Sequence, residues 1–261
     1  MHIEILSAYA TAPGTSGAAG AAVTGDSLTI KNGKGEIDIL AVWSDFQNAA
    51  GGFLQIVRPS GHDTTRDLRF RAGQASVDVR NPLGIGIAVA AQETLGITIA
   101  DSATAGDVAT VCMLLRYKDL PGIDQRMITE AELRRRIDKL TTIECTLTSS
   151  AGPGYSGEEL ITGESALLKA NRDYAVLGVN VASEVAAITM RGPDTGNVKI
   201  GIPGTLDNKL SSGWFPLLSR AYGEPLIPVI NSGNAASTYL GCITDENAGS
   251  IPISLTLAML K

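Results

Sequence analysis

The chain has 261 residues, a net charge of -6, and 44% hydrophobic, 5% aromatic and 18% charged residues, with a pI near 5.0 and a mean hydropathy of +0.13. The acidic balance argues against a broad phosphate-binding surface. No uninterrupted apolar run approaches the ~18 residues of a membrane-spanning helix, and the apolar fraction suffices for two cores without a metal or disulfide staple.

The first elements are short, evenly spaced strand candidates at 3–8, 27–31, 37–43, 53–58, 68–71, 76–79, 85–90, 96–100 and 108–116. They are rich in β-branched and aliphatic residues and separated by turn chemistry such as Asn32-Gly33, Pro59-Ser60-Gly61 and Asn81-Pro82. A helix is expected next. Thr129 followed by Glu132 has the capping-box spacing. Leu133, Ile137 and Leu140 recur at i, i+4 and i+7 on one helical face, with Glu130/Arg134 and Glu132/Arg136 as ion pairs in the favourable order. Strand candidates then resume at 143–148, 166–170, 175–181, 186–191, 198–202, 214–218, 225–230, 238–243 and 251–259.

The two strand-rich halves resemble each other. Ile3-Glu4, Pro13-Gly14-Thr15-Ser16-Gly17, Thr24-Gly25-Asp26-Ser27 and Lys31 are matched in order by Ile143-Glu144, Pro153-Gly154-Tyr155-Ser156-Gly157, Thr162-Gly163-Glu164-Ser165 and Lys169. That is ten collinear identities, and both halves close on a strand of equal length. The reading is all-β: two tandem eight-stranded sandwiches of the jelly-roll kind, at 1–118 and 142–261, joined at 119–141 by a short helical linker. The loops 10–25 and 149–163 are long and rich in small residues, which suits a surface ordered by a neighbouring subunit.

A search for chemistry returns no catalytic, cofactor or metal residue. His2 is terminal, and His62-Asp63 lies in a turn whose polarity explains both. Neither Pro-Gly-x-Ser-Gly segment makes a nucleophile elbow, because each opens a loop and the second glycine is out of frame. Asp101, Asp107, Asp245 and Glu246 flank the closing hairpins but lack the alternating acids of a calcium loop. Asp124, Asp138 and Glu144 lie near the expected junction, with nothing to select a pair 5–10 Å apart as a glycosidase would need. Arg134-Arg135-Arg136 reads as a solvated helix face, and Trp43 and Trp214 as core residues within strands. The cysteines Cys112, Cys145 and Cys242 sit in apolar runs and read as reduced thiols. Met1-His2 runs into Ile3 without the basic and apolar segments of a leader, so folding in a reducing compartment is expected.

With these paired anchors around the linker helix, the chain resembles the double jelly-roll major capsid proteins of tailless icosahedral viruses and bacteriophages. That resemblance implies a structural protein, not an enzyme, found in the virion and assembled in the host cytoplasm. Its partners would be copies of itself, as a homotrimer forming a pseudo-hexagonal capsomer and as neighbouring trimers in a shell, together with other virion proteins. No direct nucleic-acid binding is implied, membrane contact is left open, and no basic arm precedes the first strand. Two other classes fit the composition: a bilobed β-sandwich enzyme of amidase or glycosidase type, and a carbohydrate-binding or adhesive module, for which 5% aromatic residues is poor.

Overall fold

The computed structural model describes all residues except 47–51, 62–64, 72–77, 81–84, 102–103, 106, 150–153, 156–157, 162–167, 184, 206 and 245–248. The first half runs through β1 (His2–Thr11), β2 (Ala18–Ala19), β3 (Ala21–Ala22), β4 (Lys34–Asp45), β5 (Phe53–Val57), β6 (Leu68–Arg71), β7 (Asp78–Arg80), β8 (Ile87–Ala88), β9 (Gly96–Ala100) and β10 (Val108–Asp119). The connector carries β11 (Met127–Ile128) and α1 (Glu130–Arg136). The second half comprises β12 (Ile137–Ser149), β13 (Gly154–Tyr155), β14 (Glu159–Leu160), β15 (Asp173–Val181), β16 (Val185–Arg191), β17 (Ile200–Gly204), α2 (Asn208–Ser211), α3 (Trp214–Tyr222), β18 (Ile227–Asn231), β19 (Tyr239–Thr244) and β20 (Gly249–Leu260).

The protein is mostly β, with four antiparallel sheets among the described residues. In the first half one sheet has the order β3-β1-β10-β4-β7, with β8 also on β4, and the other has β2-β9-β5-β6. In the second half the orders are β11-β18-β15-β20-β12 and β13-β19-β16-β17, with β14 on β19. The same nested pairing occurs twice. The first long strand pairs with the last (β1 with β10, β12 with β20), and the next inward does the same (β2 with β9, β13 with β19). Then β4 pairs with β8 and β15 with β18, and at the centre β5 pairs with β6 and β16 with β17. Each half is thus one long hairpin folded over into two sheets.

The residue pattern explains the layers. β6 alternates, with Leu68 and Phe70 turned to the core and Arg69 and Arg71 exposed. β1, β4 and β10 instead read as nearly continuous apolar runs, because their sheet is covered on both faces. Leu6, Ala8, Val42 and Met113 face Leu54, Ile56 and Ile99 of the four-stranded sheet. Ile3, Ile5, Trp43, Cys112 and Leu114 face the other way, into a cluster shared with the second half.

The structure corrects several expectations. The segment 214–218 is helix, not strand: Trp214, Leu218 and Tyr222 recur at i, i+4 and i+8, and Gly223 ends α3 at φ 69 with its N–H on the Ser219 carbonyl. The segment 27–31 forms no strand but a single bridge, Thr29 to Thr94. Of the expected strand 166–170, residues 166–167 lie outside the described residues and 168–170 are turn and coil. The linker helix stops at Arg136, and β12 begins at once at Ile137 rather than at 143. Leu133 is buried as expected, but Leu140 belongs to the strand and is 58% exposed. The Ile3/Ile143 match does not hold by face either. Ile3 points toward the other half of the molecule, while Ile143, between exposed Thr142 and Glu144, points into its own core.

Candidate functional site

The most elaborate chemistry lies where the halves meet. The outer face of the β1-β10-β4 sheet is covered by the sheet containing β16 and β17, with β17 over β1 and β16 over β10 and β4. Trp43 anchors the contact. Its indole N–H donates to the Ala186 carbonyl at 2.7 Å, and its ring meets Trp214 edge-on at 5.7 Å between centroids. Ile5 N–H donates to the Lys199 carbonyl at 3.0 Å. Gly201 lets the backbones approach, since a Cβ there would collide with the Ile5 side chain. The connector seals the same edge: Gln125 accepts from Ile3 N–H at 2.8 Å and donates to Ile3 O at 2.9 Å. Tyr222 of α3 donates to the Leu40 carbonyl.

Within this apolar contact sits one polar cluster. Asp26, half-buried beyond β3, accepts from Ser7 Oγ of β1 and from Tyr155 OH of the second half, the latter at 2.8 and 2.7 Å to its two oxygens. Lys199 Nζ lies 3.3 Å from the Tyr155 ring centroid. Burial raises Asp26 above the usual carboxylate range against the pull of Ser7, Tyr155 and Lys199. Burial also lowers Lys199, and it raises Tyr155 far above the phenol range, with the Asp26 charge adding to the effect. Beside the cluster a cleft of about 500 Å³ is lined by Glu4, Asp26, Thr29, Lys31, Asn32 and Gln92, among others. In it Lys31 is ion-paired to Glu4, which also accepts from Tyr117 OH at 3.1 Å. This network latches two sheets together; its charged groups are already engaged with one another.

The residues weighed from the sequence are dispersed. Asp124 lies in the connector against Gly196, whereas Asp138, at a register irregularity, and Glu144 are both exposed on β12. Six residues of extended strand separate that pair by roughly 20 Å, beyond the spacing of a glycosidase couple. Asp101 is buried, and His62, Asp63, Ser156, Asp245 and Glu246 lie outside the described residues. His2 is buried and accepts from Leu120 N–H at 3.1 Å. Glu130 pairs with Arg134 and with Arg220, the latter at 3.0 Å, whereas Glu132 turns back onto Thr129 as the capping box instead of pairing with Arg136. Cys112 and Cys242 are buried, Cys145 is half-buried and none is in a disulfide; burial pushes the Cys112 thiol well up. Among the described residues no group of three or more His, Cys, Asp or Glu could hold a metal ion, and no helix is long and apolar enough to cross a membrane.

Polar side chains also stand on two outer strand surfaces. On the four-stranded sheet of the first half, Arg69 and Arg71 are exposed, and the Arg69 guanidinium stacks 3.5 Å from the Phe53 centroid. On the outer face of β12 and β20, Thr142, Glu144, Thr146 and Thr148 lie opposite Thr256, Ser254, Pro252 and Ser250.

No family model and no curated protein matches this chain. Among solved structures it is similar to the PBSX exported protein XepA at 10% identity and a TM-score of 0.29, covering 98% of this chain and 86% of that one. The structure of Sulfolobus turreted icosahedral virus matches at 6% identity and a TM-score of 0.25, over 99% and 80%. The infectious bursal disease virus VP2 subviral particle matches at 11% and 0.21, over 99% and 71%. At such scores the likeness carries no argument about function.

Proposed function

We propose that the chain is a double jelly-roll major capsid protein, a structural subunit of which three copies form a pseudo-hexagonal capsomer of an icosahedral shell. The observation that carries this reading is the nested strand pairing repeated in both halves. In each, eight of the strands pair first with last and inward to the centre, and this pairing supports a jelly-roll path. Two such units in one chain let three chains supply six similar blocks, and a cyclic trimer is a closed assembly that can tile. The junction supports the same reading, because sheets of the two halves meet face to face. The partners are copies of the same chain, and the location is the virion, assembled in the host cytoplasm. The test is light scattering on the purified protein over a range of concentrations, with electron microscopy of the product. Trimers that go on to form rings or shells are expected. A chain that stays monomeric at every concentration, or that hydrolyses or binds a glycan, would remove the proposal.

A further inference from the structure

The strand at the end of a sheet carries a row of unpaired backbone groups, which invites pairing unless something covers it. In the first half that side of β1 is covered along its length. β3 pairs with Ala8 and Tyr9, and Val23 N–H donates to the Ser7 carbonyl. Ile5 N–H donates to the Lys199 carbonyl, and Gln125 takes both backbone groups of Ile3. Two of these covers, Lys199 and Gln125, come from the second half and the connector.

β12 holds the same place in the second half, at the end of its sheet. In β1 the residues whose backbone points off the edge, Ile3, Ile5 and Ser7, are those turned away from their own core, which holds Leu6, Ala8 and Ala10. Side-chain facing and backbone direction alternate together along a strand. In β12, Ile143 and Leu147 face inward, so Leu140, Thr142, Glu144 and Thr146 present their N–H and C=O groups to the edge. All four are exposed, and none has a hydrogen bond outside the ladder to β20 among the described residues. The strand also lacks the features that usually protect an edge. From Leu140 to Ser149 it holds no proline, glycine or lysine and a single charge, Glu144. Its register with β20 is unbroken from Lys139 to Ser149, so no bulge turns the edge aside.

In the first half the edge is met by the other sandwich of the chain. A second copy supplies the same kind of unit, and β12 is suited to meet itself. Two copies of the strand run antiparallel about a two-fold axis normal to the sheet, an isologous contact that closes at two. With Thr142 on the axis, Leu140, which is 58% exposed, lies opposite Glu144 of the other copy, and Lys139 lies opposite Cys145. No like charges face each other, and the two Glu144 carboxylates stand more than about 13 Å apart. Moving the axis toward Ser149 makes the two Glu144 side chains diagonal or direct neighbours. Moving it toward Ile137 shortens the paired stretch at the register irregularity beside Asp138.

We infer that β12 pairs edge to edge and antiparallel with β12 of a second copy of this chain, about a two-fold axis at Thr142. The inference rests on the reading of the chain as a self-assembling shell protein and adds the contact through which one trimer joins the next. Main-chain hydrogen bonds carry the contact, as in other additions of a strand to an open edge.

The experiment uses the full chain. Thr142→Pro removes an N–H that points off the edge and leaves the ladder to β20 intact, and Thr142→Lys sets two cations against each other on the axis. Light scattering with size-exclusion chromatography follows association over protein concentration. Both variants are expected to melt within a degree or two of the parent and to keep the trimer. The pairing between copies should weaken at least about tenfold. Thr142→Cys should form a disulfide-linked pair on mild oxidation, since a residue on the axis meets its own copy within bridging distance. Thr148→Cys, roughly 40 Å from its copy in this register, and the parent should not. Trimers that join equally well in Thr142→Lys, or equal cross-linking at the two cysteine positions, would overturn the edge assignment and leave the shell reading standing. A parent that forms β12-linked pairs but never trimers would keep the edge and remove the shell reading. A parent that is monomeric throughout overturns both.

Discussion

Asp26 shows how one side chain can report on the joining of two sheets. It is held by Ser7 from the first half and Tyr155 from the second, and burial raises it above the usual carboxylate range. The folded chain therefore keeps a proton there at pH values where the unfolded chain has lost it. The contribution to stability is full below the unfolded value and is lost as pH rises through the folded one. Asp26→Asn keeps an acceptor for both hydroxyls and removes the charge. Relative to that variant, the parent should gain melting temperature as pH falls from about 7 to about 4.5. Parallel melting curves over that range would show that the carboxylate feels no burial at the junction.

At the scale of elements, α1 and β12 show what a sequence conveys and where it stops. The cap was legible, since Thr129 and Glu132 form the reciprocal bonds that their spacing predicts. The end of the helix was not. Leu133, Ile137 and Leu140 fit a 3.6 period, yet from Ile137 the chain follows a period of two, because β12 gains a ladder of backbone bonds to β20. Leu133→Asp should therefore cost about 2–5 kcal/mol, the order of losing a buried leucine, while Leu140→Asp leaves the melting temperature unchanged. Equal losses in the two variants would restore the longer helix. The strands 68–71 and 96–100 match β6 and β9 to the residue, because alternation and turn residues are local signals. Helix α3 was missed for the opposite reason: Trp214 and Phe215 are adjacent large apolar residues, and only the Trp214, Leu218, Tyr222 spacing with Gly223 marks the helix. The junction was illegible because both tryptophans read simply as core. That Trp43 serves a neighbour's carbonyl depends on a contact 143 residues away.

For the molecule as a whole, the decisive feature is that the β1-β10-β4 sheet belongs to two cores at once. One apolar cluster lies between it and its own partner sheet, and the other runs from its outer face through the entire second half. Exposing that outer face would leave Ile3, Ile5, Trp43, Cys112 and Leu114 in water. At about 1.5–3 kcal/mol for a fully buried large aliphatic side chain, that is more than a marginally stable half could bear alone. The halves should consequently unfold together, in one calorimetric transition with equal calorimetric and van't Hoff enthalpies. Trp43→Phe is the probe: it keeps the aromatic volume but leaves the buried Ala186 carbonyl without its donor, at a cost of about 1–3 kcal/mol. The whole transition should move down by about 2–4 °C for each kcal/mol lost, as expected for a chain of this size. It should stay single, because the weakened contact is one both halves need. Two resolved transitions in the parent, or a split in the variant, would mean that each sandwich is stable by itself and that the junction merely docks them.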